Sequence, residues 1–151
     1  MENNLAAIGM IHGMGIFGNA LLPDLKVPMA ATRDVGRYAA QHLEFSDRQT
    51  HELLGERDLS MTEATAVIAR GIGKPDLRYV QFPYDQVQQV LEQMGMTPKK
   101  AAVYIEMFKA INTGVLVPQE PRLQENTTPT SFETFVQDLF APAYHGTAAA
   151  A

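Results

Sequence analysis

Apolar residues fall along this chain at two spacings, and the switches between them mark out its elements. Leu5, Ala6, Ile8, Met10 and Ile11 come so early that a short packed helix begins almost at the first residue. Gly13 and Gly15 punctuate its end. Two runs, IFGNALL at 16–22 and DLKVPMAA at 24–31, then read as strands joined through Pro23 in an irregular hairpin. In TRDVGRYAAQHL, Val35, Tyr38, Ala39 and Leu43 return to helical spacing behind Asp34, an N-cap candidate, which predicts a helix over about 34–44 and a turn at 45–48.

THELL at 50–54 reads as a short strand ended by Gly55. The strongest helix signal follows it. Ser60 and Glu63 form an S-x-x-E capping box, Ala64, Val67, Ile68 and Ile72 make an apolar stripe, and Gly73 with Pro75 stops the helix. LRYVQF at 77–82 alternates like a strand, and YDQVQQVLEQMGM starts a helix after Pro83. Thr97 with Pro98 in the first turn opens a further helix that ends at Gly114. The polar, proline-rich stretch 117–130 is predicted as a loop, long enough to border a site or a neighbour. Ser131 and Thr134 flank a last helix, SFETFVQDLFAP, and 145–151 trails off as a disordered tail. The expected fold is α/β, mostly helical with a few short strands. Strands so few and so short do not make a stable sheet alone, so they imply further strands or a covering layer.

Length and composition narrow the classes. A chain of 151 residues with 46% hydrophobic and 19% charged residues predicts one globular domain, taken as 1–144. The net charge of −5 leaves no surplus of cation for a phosphate backbone, which argues against nucleic acid. Cysteine is absent, which removes disulfides, thiolate ligands and a cysteine nucleophile together and fits a cytoplasmic protein. The apolar start is broken by Gly9, His12, Gly13, Gly15 and Gly18, and reads as neither signal peptide nor membrane span.

Candidate chemistry is sparse. His12, His42, His51 and His145 share no metal-ligand spacing, so no metal site is predicted. No serine lies in G-x-S-x-G, and there is no P-loop. GMGIFG at 13–18 follows a helix rather than a strand and reads as a turn, not a phosphate cradle. Met94, Met96 and Met107 are assigned to core packing rather than to an adaptable ligand surface. Position 42, four residues beyond Tyr38, is histidine, so the Y-x-x-x-K pair that short-chain dehydrogenases use for proton transfer is missing.

Several segments taken in order resemble the carboxy-terminal half of the NmrA-like family, an atypical branch of the short-chain dehydrogenase/reductase superfamily. They are the opening MENN, VPMAATRDVGRYAAQHL, HELLGERDLSMTEATAVIARGIGKP with RYVQFPYDQV behind it, and NTTPTSFETFVQDLF. The resemblance implies an incomplete Rossmann-like α/β unit: the last strands of a larger sheet plus a small substrate lobe. It further implies that Met1 is an internal methionine, preceded in the complete protein by the half that carries the glycine-rich dinucleotide loop.

By the same resemblance Met1, Glu2 and Asn3 line the pocket beside the nicotinamide, while Asp34 and Ser60 are structural caps, and no catalytic residue is assigned. The family binds NADP or NAD, and its members divide between reductases of carbonyl or quinone-like small molecules and redox-sensing regulators. The chain by itself is expected to bind no cofactor and to be inactive. Whether it serves an enzyme at all stays open. The alternative is a non-enzymatic module that forms a homo-oligomer or binds a partner through an exposed sheet edge and its first helix.

Overall fold

The computed structural model describes residues 1–43 and 50–146. The core is organised around one helix, α3 (Met61–Gly71). Its start is fixed locally: Ser60 Oγ accepts the Glu63 N–H at 3.1 Å, and the Glu63 carboxylate accepts the Ser60 N–H at 2.8 Å. These two bonds satisfy donors that the first helical turn leaves without partners. Ala64, Val67 and Ile68, with Ile72 just beyond, present the apolar stripe inward, and all four are buried.

What covers that stripe comes from the far end of the described chain. α6 (Phe132–Phe135) runs through a π-turn (Val136–Phe140) into α7 (Ala141–Tyr144), so the expected last helix is present but changes register midway. The Ala141 N–H reaches the Val136 carbonyl five residues back. Pro142 follows at once; it has no N–H to donate and its ring crowds the preceding turn, which makes an ordinary α-helical register costly here. Phe132, Phe135, Val136 and Phe140 are buried against α3 and Phe17. The backbones come close enough that a side-chain carbon at Gly71 would collide with Val136.

The first described residues form a 3₁₀ turn (Glu2–Ala7) and α1 (Ile8–Met14), with Ala7 and Ile11 buried in the same core. Gly15 ends α1 at φ +66°, a left-handed conformation suited to glycine. β1 (Ile16–Asn19) leads out of it and pairs in parallel with β4 (Arg78–Gln81), Ile16 opposite Arg78 and Asn19 opposite Gln81. The expected hairpin between 16–22 and 24–31 does not form. After β1 the chain is pulled away: the Asn19 side chain captures the Leu21 N–H at 2.7 Å, Asn112 captures the Leu22 N–H at 2.9 Å, and Pro23 O accepts from Thr62. Gly18 lets β4 approach instead, since any side chain there would meet the Val80 carbonyl and the Phe82 ring.

β2 (Val27–Pro28) is correspondingly short and pairs antiparallel with β3 (Asp58–Leu59). The predicted strand at 50–54 reduces to one bridge, Leu54 with Thr127. Between β2 and β3 lies α2 (Thr32–Gln41), two residues earlier at its start than the spacing suggested. The predicted turn at 45–48 lies outside the described residues, as does the predicted tail from 147 on. His145 and Gly146, expected in that tail, close α7: the His145 N–H donates to Ala141 O at 3.0 Å.

α4 (Tyr84–Gln93) and α5 (Pro98–Asn112) form a helical hairpin behind β4. Loop 117–130 is fastened along its length. Glu52 accepts the Gln119 and Glu120 N–H groups at 2.8 and 2.9 Å, Arg122 donates to Gly55 O and Asp58, and Thr130 N–H donates to Asp34 at 3.0 Å. The two Glu52 bonds hold that carboxyl below the usual glutamate value of 4.5. No helix among the described residues is long and apolar enough to cross a membrane.

Candidate functional site

The residues expected beside a nicotinamide pocket meet at the start of α2. The Met1 nitrogen donates to Ala30 O at 2.6 Å and lies 3.3 Å from the Glu2 carboxylate. Both Glu2 oxygens stand 3.0 Å from the Thr32 N–H. The N-cap of α2 is Ala31, whose methyl group accepts nothing, so Glu2 supplies from a distance the acceptor that the helix start lacks. Burial pushes the Glu2 carboxyl up, but the Thr32 hydrogen bonds outweigh it and leave the group below its usual 4.5. Asn3 is exposed, and Asn4 rather than Asn3 closes the turn by donating to Met1 O at 2.8 Å. Met1 and Glu2 are thus brought together as a clamp on the 30–32 segment.

Asp34 is not the N-cap that spacing predicts. It stands in the first turn of α2, buried, with one oxygen accepting Thr130 N–H; its other oxygen has no hydrogen-bond partner among the described residues. Arg33 adds Thr130 Oγ1 at 3.1 Å and Asp138 at 3.4 Å, so this pair ties the end of loop 117–130 and the π-turn to α2. Ser60 sits at the other end of the core, in the capping box of α3. The methionines expected in the core lie outside it: Met94 and Met107 are exposed and Met96 half-buried. They belong to a hairpin whose apolar positions exceed what its two helices can cover.

A polar cluster that sequence reasoning missed gathers around the carboxyl end of β1, reached by Tyr79 from within β4; the carboxyl ends of strands are where open parallel sheets commonly place ligands. The Tyr79 hydroxyl is 2.6 Å from Asn19 Oδ1 and 2.8 Å from Leu21 O. Asn112, at the end of α5, donates to Ala20 O and to the Tyr84 hydroxyl, both at 2.8 Å, while accepting the Leu22 N–H. Burial pushes the Tyr79 hydroxyl well above the usual tyrosine range, so it stays protonated at neutral pH. These groups satisfy one another. Their chemistry is positional, joining the α4–α5 hairpin to β1. Asn19 and Tyr79 are 60 residues apart, and nothing local links them, so only the strand pairing reveals the cluster.

Two open clefts flank α3. One, of about 500 Å³, lies against the π-turn and includes Arg70, Glu133, Gln137 and His145; the other, of about 800 Å³, lies toward β4 and includes Arg70, Arg78, Leu77 and Tyr79. His12 stacks on Tyr144 at 4.2 Å, and His42 on Tyr38 at 4.0 Å. No group of three or more His, Cys, Asp or Glu among the described residues is arranged to hold a metal ion.

No family model matches the chain, and no curated protein matches it by sequence. Solved structures do. The crystal structure of a new type of NADPH-dependent quinone oxidoreductase (QOR2) from Escherichia coli superposes with a TM-score of 0.72 at 21% identity, covering 92% of this chain and 51% of that one. The same oxidoreductase complexed with NADPH gives a TM-score of 0.72 at 22% identity, covering 92% of this chain and 50% of that one. The chain therefore spans about half the length of the structures it matches, and what it shares with them is a fold, the Rossmann-like α/β architecture that its short parallel strands and dominant helices display.

Proposed function

We propose that this chain is the substrate-side portion of an NmrA-like NAD(P)-dependent oxidoreductase or redox-sensing regulator, inactive by itself. The supporting observation is the likeness, over 92% of the chain, to half of an NADPH-dependent quinone oxidoreductase. In this reading NADP or NAD binds to the complete protein, a carbonyl or quinone-like small molecule is held near the 3₁₀ turn, and Met1, Glu2 and Asn3 border it. Met1 and Glu2 then act through their hold on α2, because the Glu2 oxygens are engaged by Thr32. Asn3, exposed beside them, is the side chain left to face a ligand.

Titration with NADPH and NADH followed by fluorescence tests this, on the chain alone and on a fusion behind a dinucleotide-binding Rossmann half. The expected result is no saturable signal from the chain alone and saturable binding by the fusion. Micromolar binding by the chain alone, or no binding by a fusion shown to be folded, overturns the reading.

One observation favours the interaction-module alternative. β1 and β4 pair only with each other among the described residues, leaving an outer edge on each strand. In the first helix Ala7 and Ile11 are buried, while Met14 is exposed. Sedimentation together with an apolar-surface dye tests this alternative: a monomer from micromolar to millimolar concentration that binds no dye removes it.

A further inference from the structure

The larger cleft beside α3 carries a charge pattern that the rest of the molecule does not explain. The chain holds 17 acidic and 12 basic side chains, yet the ionisable side chains on this cleft are the guanidiniums of Arg70 and Arg78 and the Tyr79 phenol, with no carboxylate. Neither guanidinium makes a hydrogen bond or ion pair among the described residues. Arg70 has a local reason to exist, in the last turn of α3, where the helix dipole favours a cation. Arg78 has none: it is the first residue of β4, opposite Ile16. Two like charges on one cleft repel unless an anion comes between them.

The remaining polar groups of the wall are spoken for. Thr65 Oγ1 donates to Met61 O at 2.7 Å, Thr62 Oγ1 lies 3.0 Å from Pro23 O and 3.1 Å from Asp24, and the Tyr79 hydroxyl is held by Asn19 and Leu21. Two acids stand just outside this wall: Asp24 is turned to Thr62, and Glu133, whose carboxyl is lowered chiefly by its pairing with Arg57 and in small part by Arg70, lies on the other cleft. The guanidiniums are therefore the donors left for a ligand. The same wall has an apolar part that includes Ala66, Ala69, Pro75 and Leu77. A volume of about 800 Å³ exceeds what a bare inorganic anion fills and falls in the range of small-molecule sites.

We propose that the cleft between α3 and the α3–β4 connection binds an organic carboxylate with a flat apolar body, its carboxylate on Arg70 and Arg78 and its body against Ala66, Ala69 and Leu77. Guanidinium groups suit this ligand twice over, pairing with carboxylates through parallel N–H bonds and stacking on planar rings. The site is separate from the 3₁₀ turn and stands or falls independently of the oxidoreductase reading.

The probe is 2-naphthoate, compared with neutral 2-naphthylmethanol, added to the isotopically labelled full chain and followed by amide chemical shifts. The expected result is saturable shifts at Ala66, Ala69, Arg70, Gly73, Leu77 and Arg78, with the alcohol binding at least about tenfold more weakly. Arg70→Gln and Arg78→Gln should each weaken naphthoate about tenfold while leaving the shifts of α5 in place. Equal binding of acid and alcohol, shifts centred elsewhere, or no saturable shift overturns the proposal. Should a variant fail to fold, the comparison of acid with alcohol on the unaltered chain still decides it.

Discussion

α3 and α4 are nearly the same length, and both carry apolar residues at helical spacing, but they meet different fates. Met61, Ala64, Val67, Ile68 and Ala69 of α3 are buried, whereas no residue of α4 is. An amphipathic pattern reports which face of a helix seeks cover; it does not report whether the chain supplies it. α3 receives its cover from Phe132, Phe135, Val136 and Phe140, more than 60 residues away. α4 packs mainly on α5, which itself buries just Ala101 and Ile105 and leaves Val103 64% and Met94 69% exposed on the hairpin. The molecule thus has a finished half and a half whose apolar surface still faces solvent.

Core truncation gives the largest expected contrast. Phe140→Ala should lower unfolding stability by about 3–5 kcal/mol, as for other buried aromatic deletions, while Met94→Ala should stay within about 0.5 kcal/mol. Chemical denaturation of the two variants checks this. A loss above about 1 kcal/mol for Met94→Ala would break the comparison, because it would mean that the hairpin is covered in solution. Gly71→Ala comes next. Its new methyl group would collide with Val136, so a loss of about 1–3 kcal/mol is expected, against a gain of up to about 1 kcal/mol for Gly13→Ala in α1, where open space surrounds the glycine.

Much of the finished half was legible in the sequence, for a physical reason: its signals are local. The S-x-x-E box at Ser60, the stripe through Ile72, the stop at Gly73 and the strand around Tyr79 each depend on residues within a turn or two. What misled was pairing. The 16–22 and 24–31 runs looked like a hairpin because they are adjacent, yet β1 chose β4, through a glycine gap at residue 18 that spacing does not display. Asp34 looked like a cap because it precedes an apolar period, but Glu2 took that role across 30 residues and left Asp34 to hold Thr130. The methionines looked like core because apolar residues usually are. The site suffered most: Met1 and Glu2 do meet at α2, but the Asn19–Tyr79–Asn112 cluster depends wholly on long-range contacts.

That cluster is where the two halves are joined, so Asn112→Leu tests their independence. It removes donors to Ala20 O and Tyr84 and the acceptor for Leu22 N–H. The expected loss is about 1–3 kcal/mol. Hydrogen exchange should show faster opening across Tyr84–Asn112 and little change in Met61–Gly71; equal acceleration in both would mean that the molecule opens as one unit.

The smallest effect concerns acid. The carboxyls of Glu2, Glu52, Glu63 and Glu133 are all held below the usual 4.5, chiefly by hydrogen bonds from Thr32, Gln119 and Glu120, Ser60, and Arg57 respectively, with burial opposing each and at Glu2 the largest single influence. A carboxyl depressed in the folded state contributes stability that is complete above its unfolded value and disappears as pH falls through the lower, folded one. The denaturation midpoint should therefore hold steady from pH 7 to 5 and decline below about 4.5. Glu2→Gln should be less stable than the unaltered chain at pH 6, with the gap closing toward pH 3 as protonation removes the same interaction. A gap that persists at pH 3 would show that Glu2 contributes through packing of the 3₁₀ turn rather than through its charge at the start of α2. The clamp on α2 would then act without the Glu2 charge at the helix start, while the Ser60–Glu63 box at α3 and the Asp34 hold on Thr130 would remain.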